Sequence, residues 1–183
     1  PRQNWSLKKL HKLIVMSPTY RQSKLPQRRL TGEMLRDAML AVSGQLNLKS
    51  GGPGVRLPLP KVVSDTLLKG QYKVTEDVTE HTRRSVYVFR RRSTPYPFLS
   101  TFDVPNGEAS CIKRARSNTP LQALMTLNET LSLEAAEHLA KRMTDAAKGD
   151  DKAAIAHGFH LCTSRQPTEK ETRVLLGLLN QQR

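Results

Sequence analysis

The fold is decided by residues 119–147, which read TPLQALMTLNETLSLEAAEHLAKRMTDAA. Thr119 is a good N-cap residue, Pro120 suits the first helical position, and Gln122 can reach back to the cap as a capping box. Leucines follow at helical spacing and give one face of this helix an apolar character. The stretch therefore predicts a long amphipathic helix, in which we expect a kink at Leu131-Ser132.

Other helices are predicted on both sides of this one. They lie at 5–16, at 31–46 behind the N-cap residue Thr31, at 151–162, and behind a second capping box at 168–171. Residues 84–90 alternate β-branched and aromatic side chains between polar ends and predict a short strand. We expect a mostly α fold of about five helices, with a short strand or hairpin and one long ordered loop.

The long loop covers 94–116 and holds three prolines and an Asn-Gly pair. Loops of this length in a compact domain are usually either functional or disordered. Phe98, Phe102 and Cys111 provide apolar anchors, and they favour an ordered loop.

The positive charge is concentrated in the first two thirds of the chain. The 183 residues carry a net charge of +14; residues 1–60 hold 11 basic and 2 acidic side chains, residues 61–120 hold 11 and 6, and residues 121–183 hold 8 and 8. A cationic face can bind phosphates, anionic polysaccharide or an acidic protein domain. Only nine residues are Phe, Trp or Tyr, and base stacking needs aromatics, so a nucleic acid is a disfavoured partner.

Several classes of protein are excluded by composition. No run of about 18 uncharged apolar residues is present, so we expect no membrane span. Cys111 and Cys162 form neither a CxxC nor a CxxCH pattern, so we expect no metal or other cofactor in this chain. The chain opens PRQN, without an initiator Met or an apolar signal core, which is typical of a fragment of a larger multidomain protein.

We expect a single helical domain over 1–183. Within it, residues 1–116 would form a basic helix and loop part, and residues 117–183 the C-terminal helices.

Segments spread along nearly the whole chain resemble, in the same order, a large bacterial family of domains of unknown function found mainly in planctomycetes. The matching segments are WSLKKLHKLIV at 5–15, SPTYRQS at 17–23, RL at 29–30, RDA at 36–38, AVSG at 41–44, GGP at 51–53, RRSVY at 83–87, TFD at 101–103, TPLQAL at 119–124, LN at 127–128 and SRQPT at 164–168. The family usually carries a longer stretch where this chain has only residues 24–28.

The resemblance implies an exported protein, periplasmic or secreted, of which this domain is the C-terminal part and which also carries a cytochrome-c-type domain. It supplies no activity for the domain itself, because fold and family do not fix a reaction.

Nine side chains are candidate binding residues, since arginine forks and their polar neighbours recognise carboxylate, sulfate or phosphate. They are Tyr20, Arg21 and Gln22 after the first helix, Arg36 and Asp37 at the border of the second, Arg84, and Asp103, Arg114 and Arg116 in the long loop. The alternative is an internal ion-pair and hydrogen-bond network that includes Arg21, Arg36, Arg84, Asp37 and Asp103.

The leading hypothesis is an accessory or interaction domain of an exported multidomain protein. Its cationic face would dock on another domain of the same protein, on an acidic protein partner or on an anionic glycan. An enzyme domain that acts on anionic carbohydrate, with Asp103 or His81 as the acid/base group, is the alternative, although a glycosidase needs a second carboxylate that the sequence does not identify. Nucleic-acid binding is the third hypothesis and rests on charge alone.

Overall fold

The computed structural model describes residues 5–22, 29–68 and 70–183. The chain is mostly α, as predicted, and within these ranges it forms eight α-helices: α1 Leu7–Val15, α2 Gly32–Ser43, α3 Lys61–Ser64, α4 Pro97–Thr101, α5 Pro120–Asn128, α6 Thr130–Ala147, α7 Asp151–Thr163 and α8 Glu169–Gln182. The opening PRQN and the short stretch at 24–28 lie outside the described residues.

The long helix predicted from Pro120 is two helices, α5 and α6, because the chain is extended at Glu129. The Glu129 carboxylate accepts a hydrogen bond from the N–H of Leu131 at 2.6 Å and so caps α6. At the start of α5, the Gln122 side chain accepts from the N–H of Thr119 at 3.1 Å, as the capping box requires. The break thus lies just before the predicted kink.

The prediction of a strand at 84–90 is wrong. Residues Ser85–Tyr87 form a 3-10 turn, and Val88 pairs with Val55 in an isolated parallel bridge. The N–H of Val55 donates to the carbonyl of Tyr87 at 2.7 Å, and the N–H of Phe89 donates to the carbonyl of Val55 at 2.8 Å. Prolines at 53, 58 and 60 flank Val55, and because proline cannot donate to a strand ladder, the pairing does not extend.

The apolar core lies where this bridge meets the long loop. Its buried members are Val55, Leu57, Val88, Phe98, Leu99 and Phe102. The rings of Phe98 and Phe102 pack with centroids 4.9 Å apart, so two of the three predicted loop anchors are confirmed. Cys111 is exposed, and its prediction as an anchor is wrong.

Helix α6 contacts helices that come before it and after it in the chain. It lies against α2 on one side and α7 on the other, and α8 packs on α7. Arg142 on α6 donates to the carbonyl of Val42 at 2.9 Å, near the point where α2 ends at Gly44 in a left-handed conformation. Where α6 and α7 meet, Gly158 leaves room for Met143.

Helix α2 begins at its predicted cap, since Thr31 accepts from the N–H of Met34. The buried face of α2 includes Arg36 and Leu40, whereas Met34 is 58% exposed. The buried Arg36 side chain donates to the backbone carbonyls of His81 and Arg83 and so holds this face of α2 against the segment before Val88. Among the described residues, none of the helices has both the length and the apolar character needed to cross a membrane.

Candidate functional site

Arg36 lies in the interior of the protein, so the prediction that its side chain lies at the border of the apolar face of α2 is wrong. Its side chain is 1% exposed. The guanidinium donates to the carbonyl of Arg83 at 2.8 Å, to the carbonyl of His81 and to the hydroxyl of Ser85 at 3.2 Å. Burial lowers the pKa of this guanidinium. Arg36 supplies donors for backbone carbonyls that an irregular segment cannot pair by itself.

Asp37 holds the same segment from the neighbouring position on α2. Its carboxylate accepts from the N–H of Ser85 at 2.7 Å and lies 3.7 Å from the Arg36 guanidinium. For Arg36 and Asp37 the structure therefore contains the internal pairing that the sequence left open as the alternative.

Arg83 is a second buried cation, which the candidate set omitted. It donates to the Glu80 carboxylate at 2.8 Å and to the carbonyls of Lys49 and Gly51, and its guanidinium lies 3.8 Å from the centroid of the Tyr87 ring. The Gly-Gly-Pro loop is the signal that could have found it. Glycine-rich loops leave carbonyls unpaired, and arginine has the most side-chain donors.

Asp103 belongs to a separate cluster that holds the long loop on α5. Its carboxylate accepts from the N–H of Ser117 at 2.7 Å, from the Ser117 hydroxyl at 2.8 Å and from Arg29 at 2.9 Å. These donors, with the backbone N–H as the largest contribution, place the pKa of Asp103 below its ordinary value. Arg29 also donates to the Gln122 side chain, which in turn donates to the carbonyl of Thr101 at 2.9 Å.

Three arginines line one groove, which we call the cationic groove and define by Arg84, Arg90, Arg114, Glu33 and Asp37. It has a volume of about 420 Å³ and lies between α2 and the segment around the 3-10 turn, with Met34, Val86, Val88 and Leu99 among its apolar lining. The structure thus brings together three of the nine candidate residues. Arg90 belongs with them, although the sequence placed it only in a run of arginines.

The charges of the cationic groove are only partly paired. Arg114 donates to both carboxylate oxygens of Glu33, at 3.0 and 2.9 Å, and Arg90 lies 4.0 Å from the same carboxylate. Burial alone raises the pKa of Glu33, but the hydrogen bonds from Arg114 and the backbone outweigh it, and the pKa lies below its ordinary value. Arg84 is exposed, and within the described residues no carboxylate lies within 4 Å of its guanidinium.

The remaining candidate residues lie away from this groove. Tyr20, Arg21 and Gln22 are exposed after α1, and Arg116 is exposed in the long loop. In the part of the chain that the structure describes, no hydrogen bond or ion pair joins their side chains to the cationic groove. The single network that the sequence suggested is not formed. Arg36 and Asp37 lie in one cluster and Asp103 in another. Among the described residues, no hydrogen bond or ion pair joins the side chain of Arg21 or Arg84 to either cluster.

The two acid/base candidates do not share a cleft. His81 lines a second cleft of about 390 Å³, whose residues do not include Asp103. Two polar side chains there have partners: His81 lies 2.8 Å from the carbonyl of Thr75, and the hydroxyl of Tyr96 donates to Glu129 at 3.2 Å. Burial and then the charge of Glu129 raise the pKa of Tyr96 well above its ordinary value.

A family model described as "PSD1: Protein of unknown function (DUF1553)" matches residues 23–179. The chain belongs to the PSD1 family. No curated protein and no solved structure matches the chain with significant similarity. The cationic groove, the Arg36 and Asp103 clusters and helices α2 to α7 all lie inside the residues that match PSD1, whereas α1 lies before them.

Proposed function

We propose that this PSD1 chain is an accessory interaction domain that docks on an acidic protein surface through its cationic groove. The resemblance to exported planctomycete proteins supports a periplasmic or secreted setting. It also supports a partner within the same protein or its complex, with a cytochrome-c-type domain as the first candidate. The function of this domain is then positional: it holds a partner domain in place.

The observation that carries the proposal is the uneven pairing of the groove arginines. Arg114 donates to the Glu33 carboxylate with both terminal guanidinium nitrogens, whereas Arg84, which lines the same groove as Arg90, has no such carboxylate partner among the described residues. A glutamate or aspartate of a partner would bind Arg84 and Arg90 in the same charge-assisted way. Because the fork is planar and fixed, such a contact also sets the orientation of the partner.

The apolar lining of the groove favours a protein partner over a polyanion such as DNA or a sulfated glycan. Val86 is 71% exposed and Met34 58% exposed at the same groove, and a protein surface can cover them with its own apolar side chains. None of the described residues that line the groove is aromatic, and stacking on aromatics is how proteins hold unpaired bases.

A binding titration with three probes tests the choice of partner. The full chain is titrated with a glutamate-rich peptide that contains leucines, with duplex DNA and with heparin, each at two salt concentrations. We expect the peptide to retain binding at the higher salt concentration, because apolar contacts are not screened, and the two polyanions to lose it. Tighter binding of DNA or heparin than of the peptide at both salt concentrations would contradict the proposal.

A further inference from the structure

Helix α1 carries its apolar side chains on the surface. Leu7, Leu10, Leu13 and Ile14 are between 46% and 68% exposed, and none of the helix residues is buried. At 3.6 residues per turn these four side chains fall on one face of the helix. The helix therefore presents a continuous apolar stripe that the described part of the chain does not cover.

All charged side chains in the segment that contains α1 are basic. Lys8, Lys9 and Lys12 lie on the helix outside the stripe, and Arg21 follows it; residues 1–32 contain no acidic residue. A helix with leucines on one face and lysines on the other is the pattern of peptides that lie flat on anionic membranes. Lysine and arginine near such a surface are attracted to its phosphate groups.

Trp5 adds a third feature at the end of the stripe. It precedes the N-cap residue Ser6 and is 85% exposed. The indole ring has an apolar body and one N–H donor, which is why tryptophan is enriched at the boundary between headgroups and acyl chains.

We propose that α1 binds the surface of an anionic phospholipid membrane. The leucine stripe faces the acyl chains, Trp5 lies at the headgroup level, and the lysines face the phosphates and water. A helix of nine residues has a small apolar face, so binding depends on the fraction of anionic lipid. This contact is separate from the cationic groove, which lies on other elements of the chain.

The position of Trp5 allows a direct test, because it is the one tryptophan of the chain. Its fluorescence is followed while the full chain is titrated with vesicles of about 30% phosphatidylglycerol in phosphatidylcholine, and with vesicles of phosphatidylcholine alone. We expect a blue shift and protection from a soluble quencher with the anionic vesicles only. The shift should weaken as salt is added, since the attraction is screened.

Two variants distinguish membrane binding through the apolar stripe of α1 from nonspecific hydrophobic adsorption. Leu10→Glu places a charge in the stripe and should abolish the blue shift, and circular dichroism should be unchanged because α1 contributes no buried side chain. Val62→Glu makes the same kind of change at an exposed valine of α3 and should leave the shift intact.

Three results would overturn the membrane assignment. One is a Trp5 spectrum that anionic vesicles do not change. Another is a blue shift that grows with protein concentration in the absence of lipid, which would mean that a second copy covers the stripe. The third is a blue shift produced by the glutamate-rich peptide and not by vesicles, which would assign the stripe to a protein partner.

Discussion

The Arg114 guanidinium and the Glu33 carboxylate form a bidentate ion pair, with hydrogen bonds of 3.0 and 2.9 Å, across 81 positions of the chain. Both side chains are partly exposed, so the pair contributes only about 0–1 kcal/mol to stability. Both side chains line the cationic groove. There the pair is an internal example of the contact that we propose for a partner carboxylate.

Removing the Glu33 carboxylate should therefore strengthen the binding of an acidic partner at the cationic groove. In Glu33→Gln, Arg114 loses its charged partner and becomes available, so we expect severalfold tighter binding of the glutamate-rich peptide and little change in the free energy of unfolding. Glu137→Gln removes the same charge at an exposed position of α6 and is the matched control. Equal gains in both variants would assign the effect to net charge and not to the groove.

Asp103→Asn should destabilise the protein by about 1–3 kcal/mol, because the Ser117 N–H and Arg29 lose their ionised acceptor in a partly buried site. Asp103 has a φ of 59°, and asparagine adopts this left-handed conformation as readily, so the variant changes the carboxylate and leaves the backbone preference intact. Urea unfolding measures the loss. Asp145→Asn, on the exposed face of α6, should stay within about 0.5 kcal/mol of the parent.

Helix starts were the most predictable part of this fold, because their signals are local. Thr31, Thr119 and Thr168 begin helices at the predicted residues, since a cap depends on side chains only three positions apart. The break at Glu129 depended on the same kind of signal, a carboxylate that caps the next helix.

The placement of Arg36 could not be predicted in this way. Its acceptors, the Arg83 carbonyl and the Ser85 hydroxyl, lie 47 and 49 positions away in the chain. The residues 84–90 posed the same problem: a strand needs a partner strand, and the segment around Val55 provides only a single bridge. Arg84 and Arg114 were named from the sequence, but only the fold places them at one groove.

Gly158→Ala should destabilise the contact between α6 and α7. An added Cβ would lie 2.7 Å from Met143 Cε and would also overlap its sulfur, and such overpacking typically costs about 1–3 kcal/mol. Gly177→Ala is the control, because no atom of the described part of the chain lies within 4 Å of an added Cβ there; it should stabilise α8 by about 0.5–1 kcal/mol. Thermal unfolding of both variants decides the point, and stabilisation by both would show that Met143 moves aside freely.

The pKa of Glu171 should be about 2, well below its ordinary value of 4.5. The Arg165 guanidinium is the main cause, followed by the N–H and hydroxyl of Thr168. A depressed carboxyl pKa stabilises the folded state above pH 4.5, and this contribution is lost as the pH falls from 4.5 toward 2. Arg165→Gln should raise the pKa and flatten the dependence of unfolding on pH in that window. An NMR titration that finds an ordinary pKa in the parent would contradict the contact.

The central claim is tested most directly by the affinity of the glutamate-rich peptide for two variants of equal charge. One is Arg84→Gln with Arg90→Gln in the cationic groove, and the other is Lys141→Gln with Arg173→Gln at exposed positions of α6 and α8. Because each charge-assisted contact is directional, we predict that the groove variant binds at least about tenfold more weakly and that the second variant binds like the parent. Equal losses in the two variants, or no loss in the groove variant, would contradict the proposal that this groove is the docking site.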